Sequence, residues 1–290
     1  MAISYDVYGI GSPIFDLSAF VGDSFLLDHC LEKGRRYQIG AQELEQLKKS
    51  IGSLLGAALR CAPGGSVANT LSALCSAGSR TFFLGLVGED ALGLAYQTDL
   101  RRQGIDSQLF RKGVTGQAIT LITPDSERTF LSYLGYSNDI LWSEVKKEPL
   151  EHSRMLHFTA YQLEHKPMRE TAAEAASLAN DKGIPVSFDL ANFSIVETRK
   201  AEVLDFIKRH VSILFGNERE CSALFGGNVG VPELVGLMSG LSDIACVKLG
   251  EKGSSISENG KVYNIPAVSY THLRAHETVL DLVCRLLLEK

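Results

Sequence analysis

The chain has 290 residues, is 45% hydrophobic and 22% charged, and carries a formal net charge of −5, enough length for one large α/β domain with an accessory lobe. Acidic residues outnumber basic ones and the basic residues fall in isolated pairs such as Arg35-Arg36 and Lys146-Lys147, which argues against a nucleic-acid surface. No run of about 18 apolar residues is present to span a membrane, the start Met-Ala-Ile-Ser-Tyr-Asp lacks a secretory pattern, and the six cysteines have neither finger nor C-x-x-C spacing, so a cytoplasmic protein with reduced thiols is expected.

The first apolar run, 7–10, reads as a buried strand that delivers Gly9-Ile10-Gly11-Ser12-Pro13-Ile14. A dinucleotide-binding turn needs a third glycine where helix and strand approach, and Ile14 occupies that place, so a nicotinamide or flavin site is disfavoured. Asp16 follows, just past the strand, at the edge where open α/β sheets bind ligands; a turn-forming or capping Asp fits the residues equally well. Segments 15–21 and 35–39 look like half-buried strands. After a helix over 41–59, Ala62-Pro63-Gly64-Gly65-Ser66-Val67-Ala68-Asn69 leads into a helix over 67–77, with Ser66 a plausible N-cap. Two glycines there let a ligand approach the helix N-terminus, or simply make a turn.

A strand at 81–87 and a helix at 91–103 come next, then a hairpin, 118–123 with 128–134, around Pro124-Asp125-Ser126-Glu127. Strands at 154–158, 185–188, 212–215 and 244–249 alternate with helices at 168–180, 200–209 and 232–239. The strand at 212–215 runs into Asn217-Glu218-Arg219-Glu220, which serves as a capping box as readily as a ligand motif. Lys248-Leu249-Gly250-Glu251-Lys252-Gly253 makes a turn, and a last hairpin, 254–256 with 261–265, forms around Asn259-Gly260. The alternation implies an α/β fold: a mostly parallel sheet wrapped by helices on both faces. The half-buried strands at about 15–40 and 117–135 are expected to form a small separate sheet, a lid.

Gly64-Gly65-Ser66-x-x-Asn69, then Gly78, then Leu84-Gly85-x-x-Gly88-x-Asp90-x-x-Gly93 resembles the N-terminal signature of the PfkB family of ribokinase-like sugar and nucleoside kinases. The opening Gly9–Asp16 stretch, Asn217-x-x-Glu220 and Lys248–Gly253 are similar to three further family motifs, in family order, over residues 4 to 267. Lys33-Gly34 and the segments 129–135 and 188–197 look closest to the adenosine-kinase-like bacterial branch. The resemblance implies a ribokinase-like fold, ATP and Mg2+ as cofactors with a monovalent cation as a further candidate, and an acceptor hydroxyl on a sugar or nucleoside, adenosine first and fructose or ribose next. It implies that Asp16, Gly64, Gly65 and Asn69 bind the acceptor and that Asn217, Glu220, Lys248, Gly250 and Gly253 serve the nucleotide, Glu220 holding the metal through water. A homodimer through the lid is a further expectation.

Two departures stand out. Asp189-Leu-Ala-Asn192-Phe-Ser194 has Ser where many of these sugar kinases have Arg, which argues mildly against an anionic acceptor. Past Pro266 the family continues into Asp-Thr-x-Gly-Ala-Gly-Asp, whose glycines form an anion hole and whose last Asp is the catalytic base. Here 269–278 instead resembles the conceptual translation of a transposase sequencing adapter, with Val279-Leu280 in the place of a variable index and 282–290 similar to a flow-cell primer. The expectation is a kinase domain over 1–267, incomplete at its C-terminus, and a non-native tail over 268–290, so that this chain has no general base and is inactive. Taken as a helix, the tail has one apolar face; its His272 and His276 mimic a metal pair but lack the adjacent glutamate and a third ligand. The alternative from another class is a nucleoside- or sugar-binding protein without chemistry.

Overall fold

A computed structural model of the protein describes residues 3–55, 60–227 and 229–268. Residues 269–290, with the tail and its histidine pair, and the last four residues of the helix expected over 41–59 lie outside the described residues. In chain order the strands are β1 (Val7–Ile10), β2 (Ile14–Phe20), β3 (Arg36–Gln38), β4 (Arg60–Gly64), β5 (Thr81–Val87), β6 (Asp106–Arg111), β7 (Gly116–Ile122), β8 (Arg128–Tyr133), β9 (Leu156–Thr159), β10 (Val186–Asp189), β11 (Ile213–Asn217), β12 (Ile244–Lys248), β13 (Ser254–Glu258) and β14 (Lys261–Ile265).

Among the described residues, nine strands form the large sheet in the order β14-β13-β12-β11-β10-β9-β1-β5-β6. The run from β12 to β6 is parallel, and β13 and β14 are added antiparallel at one edge. Every residue of β1, β5, β9 and β10 is buried, as parallel strands require when both their faces are covered. On one face the helices Lys166–Asp181, Lys200–His210 and Val231–Ser239 set Met168, Ala176, Phe206 and Met238 against Tyr8, Phe158, Phe188 and Leu214. On the other, the helices Ser66–Ser76 and Ala91–Arg102 cover β1 and β5 with Val67, Leu71, Tyr96 and Leu100.

The small sheet runs β3-β8-β7-β2-β4. One face is packed: Leu17, Ala19, Ile119, Leu121 and Leu131 meet Leu44, Leu47 and Ile51 of the helix Ala41–Leu55. The alternate residues point the other way, and the cross-strand register puts Asp16 beside Ala118 and Ser18 beside Thr120 on that face. β4 is a strand where the sequence reads as loop. Its Pro63 has no N–H to give, which an edge strand tolerates.

Asp90 joins the two sheets. It caps the helix Ala91–Arg102 by accepting from the Gly93 N–H at 2.8 Å, and its other oxygen accepts from the Thr115 N–H at 2.9 Å, one residue before β7. Burial opposes its ionisation, but these hydrogen bonds outweigh burial and hold the carboxyl below the usual aspartate range. The Gly88-x-Asp90-x-x-Gly93 part of the signature therefore has a local structural account.

Candidate active site

The carboxyl ends of adjacent parallel strands bring the polar residues together, the place where open α/β sheets bind ligands. β10 ends at Asp189, β11 at Asn217 and β12 at Lys248, and Asn217 and Lys248 are register partners. β1 is followed by Ser12 and by Asp16 in β2.

At the Asp16 end, two glycines are fixed by contact. A Cβ on Gly64 would lie 2.1 Å from Asp16 Oδ2, so only glycine lets the carboxylate sit against the chain. Gly65 has φ +105° and, in place of the Ser66 expected from sequence, is the N-cap of the helix Ser66–Ser76; no side chain caps that terminus. Asn69 lies in the first turn and is exposed. Tyr96, buried, donates from Oη to the Gly64 carbonyl at 2.8 Å and holds the turn from beneath. A part-buried chain stands beside it: Ser12 Oγ donates to Asn138 Oδ1 at 2.9 Å, and Gln162 Nε2 lies 3.3 Å from Ser12 Oγ. Sequence reasoning missed Tyr96, Asn138 and Gln162, because nothing local ties residues up to 150 positions apart.

At the other end, Asn217 and Glu220 form a complete capping box: Asn217 Oδ1 accepts from the Glu220 N–H at 2.9 Å and Glu220 Oε2 accepts from the Asn217 N–H at 2.8 Å. Lys248 Nζ reaches Asp189 Oδ2 at 2.7 Å and Oδ1 at 3.1 Å, with side-chain exposures of 19% and 8%. Asp189 Oδ1 also accepts from the Ala191 N–H at 2.9 Å, and Ala191 pays for that turn with a left-handed φ of +52°. Burial opposes the charge on Lys248, yet Asp189 and Glu220 outweigh it and hold the ammonium above the ordinary lysine range. Burial, reinforced by Asp189, pushes Glu220 up. Below them His157 on β9 bonds Ser187 Oγ at 3.0 Å, and burial pushes its pKa down to about 4, so the ring is neutral.

Past Lys248, Gly250 has open space where a side chain would be, while a Cβ on Gly253 would strike the Ile265 carbonyl. A cavity of about 550 Å³ adjoins this turn, walled by Val231, Pro232, Val235, Leu249 and Val262.

Residues 38–272 match the model of the pfkB family of carbohydrate kinases, and the chain belongs to that family. An adenosine kinase from Sinorhizobium meliloti superposes with a TM-score of 0.83 at 27% identity, over 92% of this chain and 81% of that one. Guanosine-inosine kinase of Escherichia coli K12 is 28% identical over 235 residues, 76% of this chain and 52% of its own length. A protein named probable fructokinase-5 in Arabidopsis thaliana is 29% identical over 133 residues, 44% of this chain and 41% of its own. The chain thus spans about half the length of the curated relatives it matches.

The family implies a nucleotide with a divalent cation, and the residues fit that in a particular way. Among the described residues no group of three or more His, Cys, Asp and Glu forms a metal cage. The Glu220 and Asp189 carboxylates suit a hydrated divalent cation, and Lys248 between them suits the phosphate oxygens that share it. No described helix is long and apolar enough to cross a membrane.

Proposed function

We propose that the gene product is an ATP- and Mg2+-dependent kinase that phosphorylates a hydroxyl of a sugar or nucleoside, and that the chain as written does not turn over. The observation that carries this reading is the Lys248–Asp189–Glu220 cluster at the carboxyl ends of β10, β11 and β12, together with an Asp16 carboxylate seated on Gly64 in the strand that follows β1. Asp16 and Asn69 bind acceptor hydroxyls, and Gly64 and Gly65 let backbone close on them. Bound ATP supplies the phosphoryl group and Mg2+ its counter-charge. Asn217 and Glu220 would orient the hydrated ion, Lys248 would face the phosphates, and Gly250 would leave room for the nucleotide, whose base would enter the cavity beside it; Gly253, expected to do the same, is instead held as glycine by the Ile265 carbonyl. A monovalent cation belongs to the same proposal. The motif resemblance places adenosine first among acceptors.

In this reading 1–267 is the kinase domain, the small sheet is its lid, and the sequence from 268 on is not native. Phosphoryl transfer rests on alignment and charge stabilisation, so a chain without the Gly-Ala-Gly-Asp loop lacks both the anion hole and the group that takes the hydroxyl proton. The protein is cytoplasmic, binds neither nucleic acid nor membrane, and pairs, where it pairs, through the exposed edges of the small sheet.

The test is to re-amplify the locus and assay both products. Purified 1–290 is expected to be inactive toward adenosine, ribose and fructose, and the locus is expected to continue after Ala267 into the glycine loop and to restore turnover at about 1–100 per second. Turnover by 1–290 itself would sink the inactivity, and a locus ending at Lys290 would favour a binding protein.

A further inference from the structure

Arg36, Tyr161 and Asn192 form a group of which only Asn192, within 188–197, falls in a segment that resembles the family. Arg36, on edge strand β3, donates from its guanidinium to Tyr161 Oη at 3.0 Å, with the guanidinium carbon 5.0 Å from the Tyr161 ring centre. Tyr161 follows β9 in the large domain, so this contact bridges the two sheets. Asn192 completes the group, its Nδ2 lying 3.4 Å from the same phenol oxygen.

The hydrogen-bond polarity of this group is fixed. Asn192 caps the helix Phe193–Thr198, its Oδ1 accepting from the N–H groups of Ser194 at 2.9 Å and Ile195 at 3.2 Å. The cap decides which way the amide points, so Nδ2 faces Tyr161 and the carbonyl is spent. The phenol oxygen receives two donors and keeps its own proton to give. A guanidinium has five N–H donors and no acceptor, and among the described residues no carboxylate forms an ion pair with Arg36. The group therefore offers a ligand donors only.

The sheet register says what lies between this group and Asp16. Arg36 pairs with Phe130, Phe130 with Thr120 and Thr120 with Ser18, while Asp16 pairs with Ala118 in the adjoining row. All of these share the face of the small sheet opposite the helix Ala41–Leu55. Three strand spacings, about 14 Å, and a two-residue step along the strands, about 7 Å, put the Arg36 and Asp16 backbones about 16 Å apart, less the reach of the arginine. The floor between them holds Ala118, Thr120 and an exposed Phe130, a surface for a flat ring and a poor one for a phosphate.

We propose that Arg36, Tyr161 and Asn192 recognise the base of a purine nucleoside whose sugar rests on Asp16, and that they select a 6-oxopurine over adenine, reversing the adenosine-first order that the motif resemblance gives. The inference rests on the kinase reading for the place of the sugar. A 6-oxopurine presents two acceptors, O6 and N7, which a guanidinium meets with paired N–H bonds. Adenine presents an N6 amine in place of O6, and that donor finds only other donors here. A site that leaves such groups unpaired discriminates strongly.

Binding is the readout, because it does not need turnover. Titration calorimetry on purified 1–290 with inosine, adenosine, ribose and ribose 1-phosphate is expected to give inosine at least ~10-fold tighter than adenosine. Arg36→Met, an exposed change on an edge strand, is expected to abolish that preference and leave ribose binding unchanged; Tyr161→Phe, which keeps the ring, is expected to reduce it. Adenosine binding as tightly as inosine, a preference that survives Arg36→Met, or ribose 1-phosphate binding more tightly than inosine would each overturn the proposal and leave the kinase reading intact. Failure of every sugar and nucleoside to bind would overturn both.

Discussion

Lys248 in the large sheet and Lys33 beside the small one make the same contact in different surroundings. Lys248 meets Asp189 at 2.7 Å with side chains 19% and 8% exposed; Lys33 meets Asp23 at 2.6 Å and Asp125 at 2.8 Å with exposures of 33%, 63% and 56%. Distance does not separate them; solvent does. In water the Coulomb gain is screened and side-chain ordering offsets it, whereas in the interior each charge depends on its partner. The large sheet therefore holds its polar residues as a fixed buried cluster. The small sheet, packed on one face and open on the other, presents its polar residues to whatever enters the cleft. In the proposed function, rigidity at the end assigned to the phosphates and openness at the end assigned to the acceptor suit a site that treats one substrate as constant and selects the other.

The comparison can be broken at three depths. Lys248→Met leaves Asp189 charged, buried and unpaired, and is expected to cost about 3 kcal/mol in urea denaturation, much of it recovered when Asp189→Leu is added; a cost near zero would mean that water reaches the pair. Asp90→Ala, at the junction of the sheets, removes a helix cap and the clasp on Thr115, with an expected loss of about 1 kcal/mol and faster amide exchange in β7. Because the Asp90 carboxyl is held below its usual range, its contribution is complete above about pH 4, where an unfolded aspartate ionises, and fades as the pH falls through the lower folded value. The wild-type slope below pH 4 should flatten in the variant. Lys33→Met is the smallest change: although Lys33 hydrogen-bonds Asp125 and holds its pKa down to about 2, the midpoint should barely move, and what movement there is should vanish at about 1 M salt.

Much of this could be read along the chain. Continuous apolar runs such as 81–87 mark strands covered on both faces, and the glycine pair before an apolar helix, with Asp16 upstream and Asn217-x-x-Glu220 downstream, carries the family resemblance. The hairpin around Asn259-Gly260 follows from two residues able to adopt positive φ, observed at +51° and +73°. Local sequence fixes such features because backbone sterics and side-chain period act within a few residues.

What the tertiary structure alone decided are relations between distant segments. That Gly64 must lack a side chain because Asp16 lies against it, that Asp189 and Lys248 pair across 59 positions, and that Tyr96 holds the Gly64 carbonyl are consequences of strand order. Strand 60–64 looked like a loop because its Pro-Gly-Gly sequence obeys an edge's rules, and an edge exists only once the sheet is assembled. Arg36 is the plainest case: in sequence it is one of an ordinary basic pair, and only the small sheet's register brings it across the cleft to Tyr161.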